Sequence, residues 1–207
     1  MSTAMTSSPR TRRPRRPAYH HGDLPRAVRQ AAGARLAATG DVSLREIATA
    51  LGVDPAALYR HFPDKHAIVR GWVLDGFVAL AESMREAVAN RRTPATRLAA
   101  IGEAYVRFAV AQPRRFQAMF GRERVPLADI AGHHHDGLTP WALLFASVEA
   151  LRTAGGSSLP PSRAALVAWS AVHGLAALAV DGRVDDLDAA IADVTAVIVA
   201  GLQPRRG

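Results

Sequence analysis

From Leu24 onward, apolar residues recur at three- and four-residue spacing. Leu24, Ala27, Val28, Ala31, Ala34 and Leu36 form one stripe of an amphipathic helix. Asp23 precedes the stripe as a capping acid, and Thr39-Gly40 closes it with a residue that accepts the left-handed C-terminal turn. A second stripe, Leu44, Ile47, Ala48 and Leu51, is opened by Ser43 with Glu46 three residues later. That spacing predicts a capping box, in which each side chain satisfies the other residue's free backbone donor. After Gly52-Val53, the pair Asp54-Pro55 starts a third helix predicted over 55–62, with Leu58 and Phe62 one turn apart and facing inward. Pro63 ends it, and Asp64 caps a long fourth helix predicted from Lys65 to about Asn90. Two short helices joined at a glycine turn predict a helix-turn-helix, with small Ala48 where they approach.

The remaining pattern is helical throughout. Thr93-Pro94 opens a helix to about Ala111, and Pro113 opens a short one to Phe120. Residues 125–137 contain proline and glycine and are predicted to be a loop. Three more helices are expected over 138–153, 162–180 and 187–202, the first two separated by the turn-rich 155–161. The expected fold is all-α, with about nine helices and no repeat. It divides into an arm (1–22), a three-helix domain holding the helix-turn-helix (23–66) and a helical domain (67–207), to which the resemblance described below gives DNA binding and, for the last, ligand binding and dimerisation. No uninterrupted apolar run reaches the roughly 18 residues that suggest a membrane span. No apolar stretch follows the N-terminal charges, so the expectation is a cytoplasmic protein without a membrane partner.

Composition adds the charge. Of 207 residues 49% are hydrophobic, enough for a substantial core, and only 6% are aromatic. The formal net charge is +8. Arg10, Arg12, Arg13, Arg15 and Arg16 carry most of the excess, in an acid-free stretch that predicts a disordered arm. Such an arm reaches DNA phosphates or the minor groove, or serves only as a solvated tail. The absence of cysteine excludes disulfides and thiolate metal sites. His133-His134-His135-Asp136 has metal-ligand side chains, but adjacent residues on a loop cannot all reach one ion in good geometry. A surface loop without metal is expected there. Neither a nucleophile–base signature nor a phosphate-binding glycine loop occurs, so no enzymatic activity and no cofactor are expected.

The stretch Leu44-Arg45-Glu46-Ile47-Ala48, continuing through Leu51-Gly52-Val53-Asp54-Pro55-Ala56-Ala57-Leu58-Tyr59-Arg60-His61-Phe62-Pro63-Asp64-Lys65, resembles the DNA-binding signature of the TetR family. Tyr19-His20-His21-Gly22-Asp23-Leu24 together with Trp169, His173 and Gly174 is similar to the subgroup whose C-terminal part is called the WHG domain. The resemblance implies a homodimeric transcription regulator that binds a palindromic operator in double-stranded DNA. It further implies a repressor released by a small hydrophobic ligand. With Leu58 and Phe62 inward, Pro55, Ala56, Tyr59 and Arg60 are left toward solvent or DNA. By resemblance, Arg45, Pro55, Ala56 and Tyr59 lie near bases, while Ser43, Tyr59, His61 and Lys65, the only lysine, hold phosphates.

In the sensor half the resemblance implies a pocket between the middle helices and a four-helix dimer seam from the last two. The pocket candidates are Tyr105, Phe108, Met119, Phe120, Trp141, Phe145, Trp169 and His173, with plain core packing the alternative for each. The seam candidates are Ala164, Val167, Ala168, Ala171, Val172 and Leu175 on one helix, with Ile191, Val194, Val197, Ile198 and Leu202 on the other, again with monomer core as the alternative. Two other functions remain open. One is a constitutive or architectural DNA-binding protein without a sensor. The other is a helical-bundle metalloenzyme, which has only the histidine run in its favour.

Overall fold

The computed structural model describes residues 24–121, 125–134, 136–155 and 159–202. The arginine arm, the Tyr19–Asp23 motif with its cap, His135 and residues 156–158 lie outside them. Among the described residues there are ten helices and no strand. In chain order they are α1 (Leu24–Thr39), α2 (Leu44–Leu51), α3 (Pro55–Tyr59), α4 (Lys65–Val88), α5 (Pro94–Ala111), α6 (Pro113–Phe120), α7 (Leu127–His133), α8 (Pro140–Thr153), α9 (Pro161–Val180) and α10 (Leu187–Gly201).

Local chemistry sets most of these boundaries. Ser43 Oγ accepts from the Glu46 amide at 3.4 Å, but the Glu46 carboxylate turns away from the cap to pair with Arg35 of α1. The capping box is thus half formed, and its acid ties α2 to α1 instead. Gly52 takes φ 69° and turns the chain between α2 and α3. Asp54 Oδ1 accepts from the Ala56 amide and Asp64 Oδ1 from the Ala67 amide, each at 2.8 Å, capping α3 and α4. Helix α3 stops at Tyr59, earlier than its pattern predicts. The His61 and Phe62 amides both bond the Leu58 carbonyl, and Pro63 disfavours helical geometry at Phe62.

One expected loop is a helix. Residues Leu127–His133 form α7, started by the Asp129 and Ile130 amides bonding the Pro126 carbonyl at 3.0 and 3.2 Å. Leu127, Ile130 and Ala131 repeat at helical spacing, a signal masked by Pro126 and Gly132. This raises the helix count from nine to ten.

The helices close around two apolar cores. The smaller contains Val28, Ala32, Val42, Ile47, Ala48, Leu58, Phe62 and Ile68. The larger is built on α5, wrapped by α4, α8, α9 and α10. Helix α4 serves both: Ile68 belongs to the small core, and Trp72 through Met84 to the large one. The helix runs unbroken through position 66, where the pattern suggested a domain boundary.

Helix α9 is long and apolar enough to cross a membrane by length and composition, yet it packs against α5, α8 and α10. This packing changes the seam candidates. Ala164, Ala168, Val172, Leu175, Ile191, Ile198 and Leu202 are buried in the monomer, and Val194 packs against the same core. Val167, Ala171 and Val197 face outward, joined by Leu166 and Leu178, which the sequence reading passed over. Periodicity alone does not choose the inner face of a helix that is apolar on both sides.

Helices α1 and α4 meet where Gly33 lies against the Trp72 indole, in the space a β-carbon would fill. Gly33→Ala is expected to destabilise the fold by about 1–3 kcal/mol through overpacking, despite its higher helix propensity. Equilibrium denaturation should show the midpoint falling; an unchanged or higher midpoint would mean the contact has slack.

Candidate DNA-binding face and ligand cavity

The helix-turn-helix leaves Arg45, Pro55, Ala56, Tyr59, Arg60, His61 and Lys65 exposed, with Ser43 half-buried at its cap. Tyr59 is 54% exposed while its neighbour Leu58 is fully buried, so the tyrosine is not a core aromatic. Lys65 Nζ lies 3.6 Å from Asp41 Oδ1. Both side chains are well exposed, and a pair so placed is weak enough to be exchanged for another anion.

Within the helical body lies a cavity of about 730 Å3. Six of the eight pocket candidates line it: Tyr105, Met119, Phe120, Trp141, Trp169 and His173. Phe108 does not, because it is buried in the core from the same helix as Tyr105. Phe145 sits on α8 with its side chain exposed, away from the cavity. The sequence reading missed Phe77 and Met84 on α4, Leu98 and Ile101 on α5, and Leu127 and Ile130 on α7. They look like ordinary core positions; only α7, once recognised as a helix, shows why its apolar stripe exists.

Among the described residues the wall carries no Asp, Glu, Lys or Arg. Its polar atoms are largely occupied by one another or by the backbone. Trp169 Nε1 donates to Tyr105 Oη at 3.2 Å, and Tyr105 Oη lies 2.8 Å from His173 Nδ1. The Thr195 hydroxyl donates to the Ile191 carbonyl at 2.8 Å, and Thr139 Oγ1 accepts from the Ala142 amide at the start of α8. Burial pushes the Tyr105 phenol well above its ordinary range, only partly offset by the Trp169 N–H. Burial also pushes the His173 imidazole down, so it stays neutral at physiological pH. Aromatic edges and faces surround it, with Phe120 at 4.9 Å and Trp169 at 5.5 Å between ring centres.

Helix α7, one wall of the cavity, and the turn that follows it are fastened to α4 by polar contacts. Arg70 pairs with Asp129, His133 Nε2 lies 3.1 Å from Asp75 Oδ1, and Arg85 pairs with Asp136 at 2.8 Å. The other oxygen of Asp75 accepts from Arg29 Nε of α1 at 2.6 Å. One carboxylate therefore joins the cavity wall to the helix-turn-helix domain. Gly71 makes this possible, since a β-carbon there would collide with the Arg29 stem. Beside it, the Arg115 guanidinium lies 4.8 Å over the Trp72 ring, its pKa lowered by burial against the opposing pull of Asp75.

His133 and His134 are accordingly not on a solvated loop. His133 ends α7 and bonds Asp75, and His134 is buried behind it with Nε2 unpartnered. Among the described residues no three His, Asp or Glu side chains converge as metal ligands.

A helix-turn-helix domain joined to an all-helical body through the continuous α4 defines a DNA-binding regulator. Residues 31–71 match the model of the bacterial regulatory proteins of the tetR family, and residues 98–202 match the tetracyclin repressor-like C-terminal domain. The chain belongs to the TetR family. A protein of unknown function from Rhodococcus sp. RHA1 is 30% identical, with a TM-score of 0.78 over 91% of this chain and 100% of its own. A tetR-family regulatory protein from Rhodococcus RHA1 is 21% identical, with a TM-score of 0.67 over 86% of this chain and 96% of its own. The regulator PfmR of Thermus thermophilus is 20% identical, with a TM-score of 0.62 over 86% of this chain and 99% of its own. No curated protein matches the sequence.

His134 and His173 both have depressed pKa values. For His134 burial dominates, with Asp136 and Glu82 pulling up and His133 and Arg85 pushing down; for His173 burial acts alone. The unfolded chain, near the ordinary value of 6.5, therefore takes up protons first as pH falls. Their neutral forms support full stability above that value, and stability declines as pH drops below it. Thermal melting of the double variant His134→Leu, His173→Phe should show a shallower decline below pH 6.5 than the parent. An identical slope would place the sensitivity elsewhere.

Proposed function

We propose that this regulator is a homodimeric repressor whose hold on a palindromic operator is released when a small hydrophobic molecule fills the cavity. The observation that carries the reading is the shared Asp75 carboxylate, bonded to His133 of the cavity wall and to Arg29 of α1. A ligand that displaces α7 alters one side of this junction, and α1 carries the change into the small core that positions α3. Only a difference in ligand affinity between the two arrangements moves the equilibrium. Effects of this kind are typically worth about 1–3 kcal/mol, or roughly 5- to 150-fold in DNA affinity.

On DNA, the first residues of α3 enter the major groove. Pro55, Ala56 and Tyr59 meet base edges with Arg45 beside them, while Ser43, Arg60, His61 and Lys65 hold the backbone. Ala56 and Ala57 carry no hydrogen-bonding side chain, so recognition there is by apolar contact, as with thymine methyls. Lys65 exchanges Asp41 for a phosphate. The dimer forms through the uncovered face of α9 and α10, where Leu166, Val167, Leu178 and Val197 stand exposed among alanines.

Selection from random DNA should return a site with two-fold symmetry. Tyr59→Ala should weaken binding to it about tenfold or more without lowering the melting temperature. Val197→Asp should yield monomers in sedimentation and lose operator binding. A selected site without symmetry, or a dimer that survives Val197→Asp, would remove the proposed seam.

Coupling is tested with compounds that raise the melting temperature of the full chain. At least one should lower operator affinity, measured by fluorescence anisotropy of labelled DNA, by about fivefold or more. Asp75→Asn should retain binding of that compound while its effect on DNA affinity shrinks toward unity. Operator affinity indifferent to every cavity-binding compound would favour the constitutive regulator.

A further inference from the structure

The cavity's polar atoms specify more than a hydrophobic occupant. Trp169 Nε1 can only donate, and its hydrogen goes to Tyr105 Oη. The phenol is kept protonated by burial, and with the Trp169 hydrogen already on Oη its own hydrogen is assigned to His173 Nδ1, 2.8 Å away. A neutral imidazole that accepts at Nδ1 carries its hydrogen on Nε2. That atom has no protein partner among the described residues, and His173 lines the cavity. Thr195 donates to its own helix, whereas Thr139 Oγ1 accepts its cap amide and keeps a rotatable hydroxyl hydrogen at the half-buried start of α8. Trp141, the other donor on the wall, is 39% exposed and within reach of solvent. The chain Trp169–Tyr105–His173 thus leaves one N–H fixed in direction among rings and aliphatic groups, beside the rotatable Thr139 hydroxyl and the solvent-reachable Trp141 indole.

From this we infer that the cavity selects an uncharged, largely apolar molecule bearing one hydrogen-bond acceptor, of the ketone, ester or lactone carbonyl kind, held by His173 Nε2–H. The inference rests on the reading of the cavity as the effector site. Among the described residues no charged side chain lines the wall, so a carboxylate would be stripped of water with no cation among them to meet it, and an ammonium with no anion. A pure hydrocarbon would fill the space but leave the imidazole N–H without a partner after displacing its water, a cost the carbonyl compound avoids. The cavity, at about 730 Å3, is within the roughly 300–1,000 Å3 of small-molecule sites. Tyr105 and Trp169 act as positioning residues: they fix the imidazole's tautomer and ring plane rather than touching the acceptor.

The test uses the full chain and four probes of equal length: methyl nonyl ketone, undecane, undecanoate and undecylammonium. Isothermal titration should rank the ketone first, about tenfold tighter than the hydrocarbon, with neither ion binding measurably at about pH 7.5 or above. His173→Gln, which keeps a donor, should retain the ketone preference. His173→Phe, which keeps ring volume, should abolish it while undecane still binds; this separates loss of the hydrogen bond from loss of the fold. Tyr105→Phe should reduce the preference and leave hydrocarbon binding unchanged. Undecanoate binding as tightly as the ketone, no binding of the ketone, or a ketone preference surviving His173→Phe would each overturn the assignment. Operator release is read separately. Ketone binding without release would leave the assignment standing and sink the proposed repressor mechanism. Release by the anion would do the reverse.

Discussion

Everything in this molecule is organised by the approach of α1 to α4 at Gly33 and Trp72. The indole occupies the space of a missing side chain on one side and carries the Arg115 guanidinium on its face. One turn along α4, Asp75 collects Arg29 from α1 and His133 from α7. A contact without slack between two helices transmits displacement instead of absorbing it, because close-packed interiors are stiff. The small core has too little apolar material to be independent of this contact. Its orientation is set by α4, a single continuous helix whose first turns it shares with the large core.

The cavity is a polarity problem solved locally. Six residues with a side-chain nitrogen or oxygen line it, and most of those atoms are spent on neighbours or on backbone carbonyls and amides. Buried polar groups without partners cost more than made hydrogen bonds return, so the wall keeps its donors in a chain that ends at one ring nitrogen. Around that chain, aromatic rings meet edge to face, which holds the walls apart without filling them.

Much of the DNA-binding half was legible because its signals are local. Caps, a glycine turn and a period of about 3.6 residues placed α1 to α4 within a few residues, and the resemblance of 44–65 pointed to the family. Glu46 shows the limit: its position beside Ser43 predicted a capping partner, but a nearby Arg35 on another helix competes for it, and no local pattern contains that rival. The C-terminal half was legible in its helices, and six of its eight pocket candidates line the cavity. Phe108 and Phe145 were misplaced because an aromatic at helical spacing belongs equally to a core, a cavity wall or a surface until the neighbouring helices are set. Helix α7 was hidden by the proline that starts it and a glycine near its end. Asp75 carried no signal at all, since an acid in a long helix reads as solvated until Arg29 and His133 arrive from 46 and 58 positions away.

The three tryptophans stand at the two places where this molecule changes environment. Trp141 and Trp169 meet edge to face, 6.1 Å apart, at the cavity, and Trp72 sits under a cation at the junction of α1 and α4. Their emission is therefore spatially sorted: one indole reports the inter-helix joint and two report the chamber. On the proposed mechanism, with Trp72 replaced by phenylalanine, light from the remaining pair would follow occupancy of the cavity; with the pair replaced, light from Trp72 would follow the joint of α1 and α4. Two background variants would thus give label-free optical reporters of the cavity and of the joint.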